Sequence, residues 1–262
     1  MKKINPNLLL ILTFFMLGSV SGNRNNSGNV MLVTSVSGKA IELYYKSIKA
    51  MENAENKQAI MLLDKALKQD SCFFMALFQQ IMNDLHQDNE RELKIHIENA
   101  LNSNIKLSAG EQILKKALNS YQMNPKNQLS GAAKKLTEMY PADIDIWYIL
   151  ASLQAMEKNY KESLISFQKI IEKSDNPGPF YNQVGYLNMF LENYGAAERA
   201  FNKYIKLNPN HPNPYDSKGD FYMHTEKYPQ AYCNYMIAYA LNRDWSYDKA
   251  MRAKWKSIAR KY

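Results

Sequence analysis

The apolar positions of this chain follow a helical period in paired stretches, and the paired pattern returns every 34 residues. A short polar turn, such as residues 157–159, separates the two stretches of a pair. This spacing indicates two amphipathic helices joined by a tight turn, which is a helical hairpin. At the offset of 34, residues of similar size fall into columns: Trp147, Tyr181 and Tyr215; Ala151, Gly185 and Gly219; Tyr160, Tyr194 and Tyr228; Ser163, Ala197 and Ala231; Phe167, Phe201 and Tyr235.

Each column has a physical reason. The two columns of small residues allow the helix axes of a hairpin to approach closely, and the large aromatics fill the space beside them. Pro209 and the pair Pro177 and Pro179 lie between units, where a helix must end or begin. Pro229 suits the first position of a second helix. The repeat therefore predicts a row of similar helical hairpins.

These residues resemble the tetratricopeptide repeat, a family with aromatic, small and proline residues at fixed spacings. In the third of the three clear copies Lys218 stands where the pattern has leucine. The resemblance implies an all-α, right-handed superhelical solenoid of about six hairpins. The best copy consists of Tyr181, Val184, Gly185, Ala197, Phe201 and Pro209.

Weaker copies extend the array toward the N-terminus. The spacing between two of them is 36 residues, which places a two-residue insertion near residues 106–108. Ser108 and Glu111 then have the spacing of a capping box at the start of a helix. We expect an array over residues 38–245, with units at 40–73, 74–107, 110–143, 144–177, 178–211 and 212–245.

Both ends of the chain differ from the array. Residues 1–22 combine Lys2 and Lys3, an apolar run and a small-residue exit, which predicts a secretory signal peptide; a retained anchor is the alternative. Residues 23–37 are expected to be a flexible lead. Residues 246–262 predict an amphipathic capping helix with its basic residues on the outer face, and a basic helix lying on anionic lipid is the alternative. The apolar stripe of that helix consists of Tyr247, Met251, Trp255, Ile258 and Tyr262.

Composition and charge narrow the possible functions. Hydrophobic residues make up 46% of the chain, enough for a sizeable core, and glycine and proline are few. The net charge is +8, and it falls to +6 without the two lysines of residues 1–22. The C-terminal segment, residues 246–262, carries +5 of this charge. Because the chain is basic at one end only, we expect no nucleic-acid partner.

The sequence carries no recognisable catalytic motif, nucleotide-binding loop or zinc-protease motif. Cys72 and Cys233 are read as two separate thiols. Asp216, Asp220 and His224 share one helix face, but they span about 12 Å along it, too far for one metal ion to contact all three. We therefore expect no metal, no cofactor and no catalytic residue, and we read this face as a polar surface.

The family resemblance also implies where a partner binds. In tetratricopeptide arrays the first helix of each hairpin lines a concave groove, and a groove rich in methionine and aromatic residues suits adaptable contact with a peptide. The alternative is that these side chains pack between adjacent helices. The set of residues that clamps a C-terminal carboxylate in some members is missing here. The implied groove residues are Tyr148, Ser152, Asn182, Tyr186, Met189, Phe190, Asp216, Asp220 and Met223.

The sequence thus favours a non-catalytic protein-interaction or scaffolding module that binds a peptide or protein partner outside the cytoplasm, whether periplasmic, in the cell envelope or secreted. Two alternatives stay open. One is a membrane-surface adaptor that acts through the basic C-terminal helix, and the other is an enzyme without a recognisable motif. The sequence does not set the oligomeric state.

Overall fold

The computed structural model describes residues 30–52, 55–242, 254–256 and 258–260. Within these ranges the chain is helical and contains no β-strand. The predicted signal peptide, residues 1–22, lies outside the described residues. The helices are α1 (Gly38–Glu52), α2 (Asn56–Gln69), α3 (Phe74–Gln87), α4 (Glu90–Leu101), α5 (Ala109–Met123), α6 (Ser130–Met139), α7 (Ile144–Met156), α8 (Tyr160–Lys173), α9 (Gly178–Phe190), α10 (Tyr194–Leu207), α11 (Pro212–His224) and α12 (Tyr228–Leu241).

Consecutive helices pair as hairpins, α1 with α2 and so on to α11 with α12. The first helices begin within two residues of the predicted unit starts, so the hairpins follow the predicted register. The predicted insertion is also visible, because seven residues, 102–108, connect α4 to α5, whereas four, 140–143, connect α6 to α7. Ser108 and Glu111 form the expected capping box of α5.

The tight turns inside the hairpins repeat the same backbone conformation. Asp88, Lys158, Glu192 and Glu226 all have positive φ, between 55° and 64°, and the last three occupy equivalent positions of the repeat. After each of these residues the next backbone N–H donates to the carbonyl five residues earlier, as in a Schellman motif. That hydrogen bond offsets the cost of about 1–2 kcal/mol for a left-handed residue that is not glycine.

The column of small residues allows the two helices of a hairpin to approach closely, as predicted. A side-chain carbon placed on Gly185 would lie 2.6 Å from the ring of Phe201, and Gly219 stands in the same relation to the ring of Tyr235. The equivalent pair in the α7–α8 hairpin is Ala151 and Phe167, both buried. The second helix can pack its aromatic ring directly on the backbone of the first helix because no large side chain separates them.

The aromatic column that begins with Trp147 differs from the expectation. Trp147, Tyr181 and Tyr215 are partly exposed and are not among the buried aromatics of the core. Instead, Trp147 Nε1 donates to the carbonyl of Pro141 over 3.1 Å, and the Tyr215 hydroxyl donates to the carbonyl of Pro209 over 3.0 Å. Trp147 and Tyr215 therefore tie the start of a hairpin to the loop before it, and the buried aromatic role belongs to the column of Phe167, Phe201 and Tyr235.

Residues 30–37 of the lead are held by hydrogen bonds, unlike the flexible segment that we expected. Three carboxylates accept hydrogen bonds from its backbone. Met31 N–H donates to Asp143, Thr34 N–H to Glu111 and Val36 N–H to Asp70, over 2.9–3.1 Å. The Met31 side chain is buried against Gly110, where a larger residue would collide with it. Residues 23–29 lie outside the described part of the chain.

The chain divides after Asp175 into two compact units. The first unit contains α1–α8 and the segment 30–37, and its core includes Phe73, Phe74, Phe78 and Phe167. The second unit contains α9–α12 and the described C-terminal residues, and its core includes Phe180, Phe201, Phe221 and Tyr235. No helix in the described ranges combines the length and the apolar character that crossing a bilayer requires.

We predict that Gly185→Ala destabilises the protein by about 1–3 kcal/mol, because the added methyl group overpacks the Phe201 ring. Gly195→Ala, also on a helix of this hairpin, is the matched control, since nothing lies closer than 3.6 Å to the added carbon. That substitution should stabilise by about 0.5–1 kcal/mol through helix propensity. Urea unfolding followed by circular dichroism measures both. Equal stability of the two variants would show that the glycine column is not a packing constraint.

Candidate partner-binding surface

The predicted groove residues lie on α7, α9 and α11, the first helices of three successive hairpins. Three of the nine, Phe190, Asp216 and Met223, are partly exposed. The other six have at most 8% of their surface exposed, so direct contact with a partner is not supported for them, and the packing alternative describes them better. These six are Tyr148, Ser152, Asn182, Tyr186, Met189 and Asp220.

The buried aromatics among them pack inside their own hairpins. In the first unit the Tyr148 ring meets the Phe167 ring edge-on, with centroids 5.8 Å apart. In the second unit Tyr186 meets Phe201 in the same way at 5.3 Å. Phe167 and Phe201 occupy equivalent positions of the repeat, so both contacts belong to the core of a hairpin rather than to a partner surface.

A polar cluster in the second unit joins α11 to the C-terminal residues. Lys254 Nζ lies 2.7 and 2.8 Å from the two carboxylate oxygens of Asp216 and 2.8 Å from Oδ1 of Asp220. The hydroxyls of Tyr235 and Tyr186 donate to the two oxygens of Asp220, over 2.6 and 3.3 Å. The Lys254 ammonium also lies 4.6 Å from the centroid of the Tyr235 ring, within cation–π range.

The charges of this cluster favour the protonated forms of its lysine and its two tyrosines. Burial alone would lower the pKa of Lys254, but the negative charges of Asp220 and Asp216 outweigh it and hold that pKa above the usual value. Burial, and then the charge of Asp220, raises the pKa values of Tyr235 and Tyr186 well above 10. A tyrosine with a raised pKa is a poor general base or nucleophile at neutral pH. The cluster is therefore suited to holding an ammonium group, not to acid–base catalysis.

This cluster changes two expectations. Asp216 and Asp220 do not form an open polar surface, because they hold Lys254. Lys254 in turn does not lie on a solvated outer face, since its side chain is only 21% exposed. The sequence showed the acidic pair on one helix and the basic tail separately, but no pattern links positions 216 and 254. Among the described residues no group of three His, Cys, Asp or Glu is placed to hold a metal ion.

The described part of the C-terminal segment packs on α12. The Trp255 ring lies 5.4 Å from the ring of Tyr239 and 6.5 Å from that of Tyr232, and Ile258 is buried. These contacts have the direction expected of a capping helix. Tyr247, Met251 and Tyr262 lie outside the described residues, so the full capping helix over 246–262 stays a prediction.

An accessible apolar patch remains where α9 and α11 end. We define the end-turn patch as Phe190, Tyr194, Met223 and His224. Tyr194 is 39% exposed, and its ring lies 5.6 Å from that of His224, which joins the two hairpins. Burial lowers the pKa of His224, and the nearby negative charge of Glu192 opposes this shift. The patch consists of two aromatic rings, a thioether and an imidazole.

No protein-family model matches this sequence, and no curated protein matches it significantly. Solved structures do match. A thermophilic tetratricopeptide-repeat protein of Thermus thermophilus is 13% identical, covers 84% of this chain and 98% of its own, and has a TM-score of 0.52. A tetratricopeptide-repeat protein of Parabacteroides merdae is 19% identical, with 83% and 86% covered and a TM-score of 0.48. PilW, a type IV pilus biogenesis factor, is 12% identical, with 78% and 94% covered and a TM-score of 0.46.

The chain has the tetratricopeptide-repeat fold. The likeness to the Thermus thermophilus structure and the row of hairpins in the predicted register both support this statement. The resemblance seen in the sequence is thus confirmed for the fold. At these identities the solved structures show nothing about a ligand or a partner.

We predict that Lys254→Met destabilises α11 and α12 by about 3 kcal/mol, because it leaves two carboxylates without their ammonium partner. Lys256→Met removes an exposed lysine two positions away and is the matched control. Adding Asp216→Asn and Asp220→Asn to Lys254→Met should restore part of the loss. Hydrogen exchange of α11 and α12 in the full chain measures the effect. If Lys254→Met exchanged no faster than Lys256→Met, the ion pair would not hold the segment.

Proposed function

We propose that this protein is a non-catalytic interaction module that binds a protein or peptide partner outside the cytoplasm through the end-turn patch. The observation that carries the proposal is the contrast within the second unit. Tyr186 and Asp220 are buried in contacts inside the unit and Asp216 holds Lys254, whereas Phe190 and Met223, from the same predicted set, stay accessible. The partner surface is therefore smaller than the groove that the family resemblance implies.

The chemistry of the patch suits a protein partner. Interface cores are enriched in aromatic residues and methionine and contain few charges. Methionine adapts its shape to different surfaces, and tyrosine adds contact area at low entropic cost. We infer that an apolar anchor residue of the partner packs between Phe190 and Met223, beside Tyr194 and His224, whose hydroxyl and Nε2 contact each other over 3.4 Å.

A catalytic role has no support in the described part of the chain. The raised pKa values of the buried Tyr186 and Tyr235 make these hydroxyls less reactive at neutral pH. In the basic tail, Lys254 faces α11, whereas Lys256 and Arg260 are exposed. The membrane-surface alternative therefore keeps part of its basic face and stays a second candidate.

The partner proposal is tested by cross-linking in intact cells followed by co-purification. The double variant Phe190→Asp/Met223→Asp places charge in the patch, and we expect partner recovery to fall about tenfold or more. Met61→Asp/Ile165→Asp is the matched control, because these side chains are 49% and 65% exposed and lie in the first unit. Tyr186→Asp is unsuitable, since Tyr186 is 3% exposed and its replacement would disturb the core. Equal recovery with both double variants would contradict the patch.

The location outside the cytoplasm rests on the predicted signal peptide. We expect the mature protein to begin after Ser21 or Gly22, because small residues there follow the apolar run. N-terminal sequencing of protein purified from its native cells, with fractionation of the cell envelope, measures this. A purified chain that begins at Met1 would mean that the segment is not cleaved.

A further inference from the structure

A cavity of about 490 Å³ opens in the first unit, between the end of α3, one side of α4 and the last turn of α5. This volume lies in the range of about 300–1,000 Å³ that is typical of ligand pockets. Its apolar lining includes Leu85, Leu93, Ile97 and the ring of Tyr121. It contains none of the groove residues and none of the end-turn patch.

The cavity follows from an irregularity of the repeat. Six residues, 124–129, connect α5 to α6, whereas three, 157–159, connect α7 to α8. With this longer connection α5 continues to Met123, and Tyr121, Gln122 and Pro125 form one wall of the cavity. The opposite wall is the turn of the preceding hairpin, at Asp88 and Asn89.

The charge of the lining is strongly unbalanced. The lining contains four carboxylates, those of Asp84, Asp88, Glu90 and Glu98, and one lysine, Lys94. Asp84 contacts Nδ1 of His96 over 2.6 Å. Asp88, Glu90 and Glu98 are exposed at the rim of the cavity, and within the ranges that the structure describes they make no ion pair, not even with Lys94. An apolar cavity with three carboxylates that lack a cation is complementary to a cation with an apolar body.

We propose that this cavity binds a lysine or arginine side chain from a short basic segment of a protein partner. The aliphatic stem of such a side chain packs on Leu93, Ile97 and Tyr121, and its cationic head reaches Asp88 and Glu90 at the start of α4. Glu98, about 12 Å further along α4, adds negative charge at the other end of the cavity. Asn89, Gln122 and Pro125 at the cavity are exposed, so the backbone of the segment can pass across the opening. This site is additional to the end-turn patch and is specific for positive charge.

The second unit shows how this chain itself holds a lysine. Asp216, Asp220 and the Tyr235 ring surround the Lys254 ammonium. The cavity of the first unit offers the same kinds of group, carboxylates and a tyrosine ring, but its carboxylates Asp88, Glu90 and Glu98 are exposed, whereas Asp220 and Tyr235 are buried. The two sites are in different units and share only their chemistry.

The test is binding of a short fluorescein-labelled peptide of alternating lysine and leucine to the full chain, measured by fluorescence anisotropy. The variant Asp88→Asn/Glu90→Gln/Glu98→Gln removes the three carboxylates, and Asn at position 88 tolerates the left-handed backbone. We expect the dissociation constant of the peptide to rise about tenfold or more. The same peptide with glutamine in place of lysine should not bind the parent protein.

The matched control is Glu55→Gln/Glu138→Gln/Glu162→Gln, which changes the net charge equally at exposed positions of the same unit. We expect its affinity to stay within about twofold of the parent. Equal weakening by both triple variants would overturn the site, since binding would then follow net charge. Tighter binding of spermidine than of the peptide would show that the cavity prefers a free polyamine, and the proposal that the cation belongs to a protein partner would be wrong. The variant Phe190→Asp/Met223→Asp should still bind the peptide. The two proposals can therefore be disproved independently of each other.

Discussion

The structure depends on one close contact, in which an aromatic ring of the second helix of a hairpin lies against a residue of the first helix that has almost no side chain. Gly185 with Phe201 and Gly219 with Tyr235 show this contact in its tightest form, because even a methyl group would collide with the ring. The contact sets the distance between the helix axes of the hairpin. It recurs at the spacing of the repeat, and the residues around it, such as Tyr186, take their burial from it.

This dependence explains how much of the fold could be predicted. Helix periodicity and the small and aromatic columns are local and repeated, so the six hairpins and the insertion before Ser108 were readable from the sequence. The turn conformation was not, because Asp88, Lys158, Glu192 and Glu226 adopt positive φ without the glycine that usually signals it. A backbone hydrogen bond, and not a glycine, stabilises each of these turns.

The candidate site was harder to predict, since its decisive contacts join residues far apart in sequence and outside the repeat. Asp143 caps the start of α7, and it also accepts a hydrogen bond from Met31 N–H of the lead. Asp216 and Asp220 have the spacing of a shared helix face, but nothing local shows that Lys254 occupies it. Polar residues on one helix face carry no sequence signal of a distant partner, so Asp216 and Asp220 were predicted to form a polar surface.

Each unit covers carboxylates of its own helices with a segment from one end of the chain. In the first unit residues 30–37 cover Asp70, Glu111 and Asp143, and in the second unit Lys254 covers Asp216 and Asp220. Buried or half-buried carboxylates need such partners, because desolvation without compensation is costly. Asp88, Glu90 and Glu98 are exposed, so water solvates them in place of such cover, and they line the rim of an apolar cavity. Carboxylates at such a rim select a positively charged partner, while the apolar lining supplies most of the contact area.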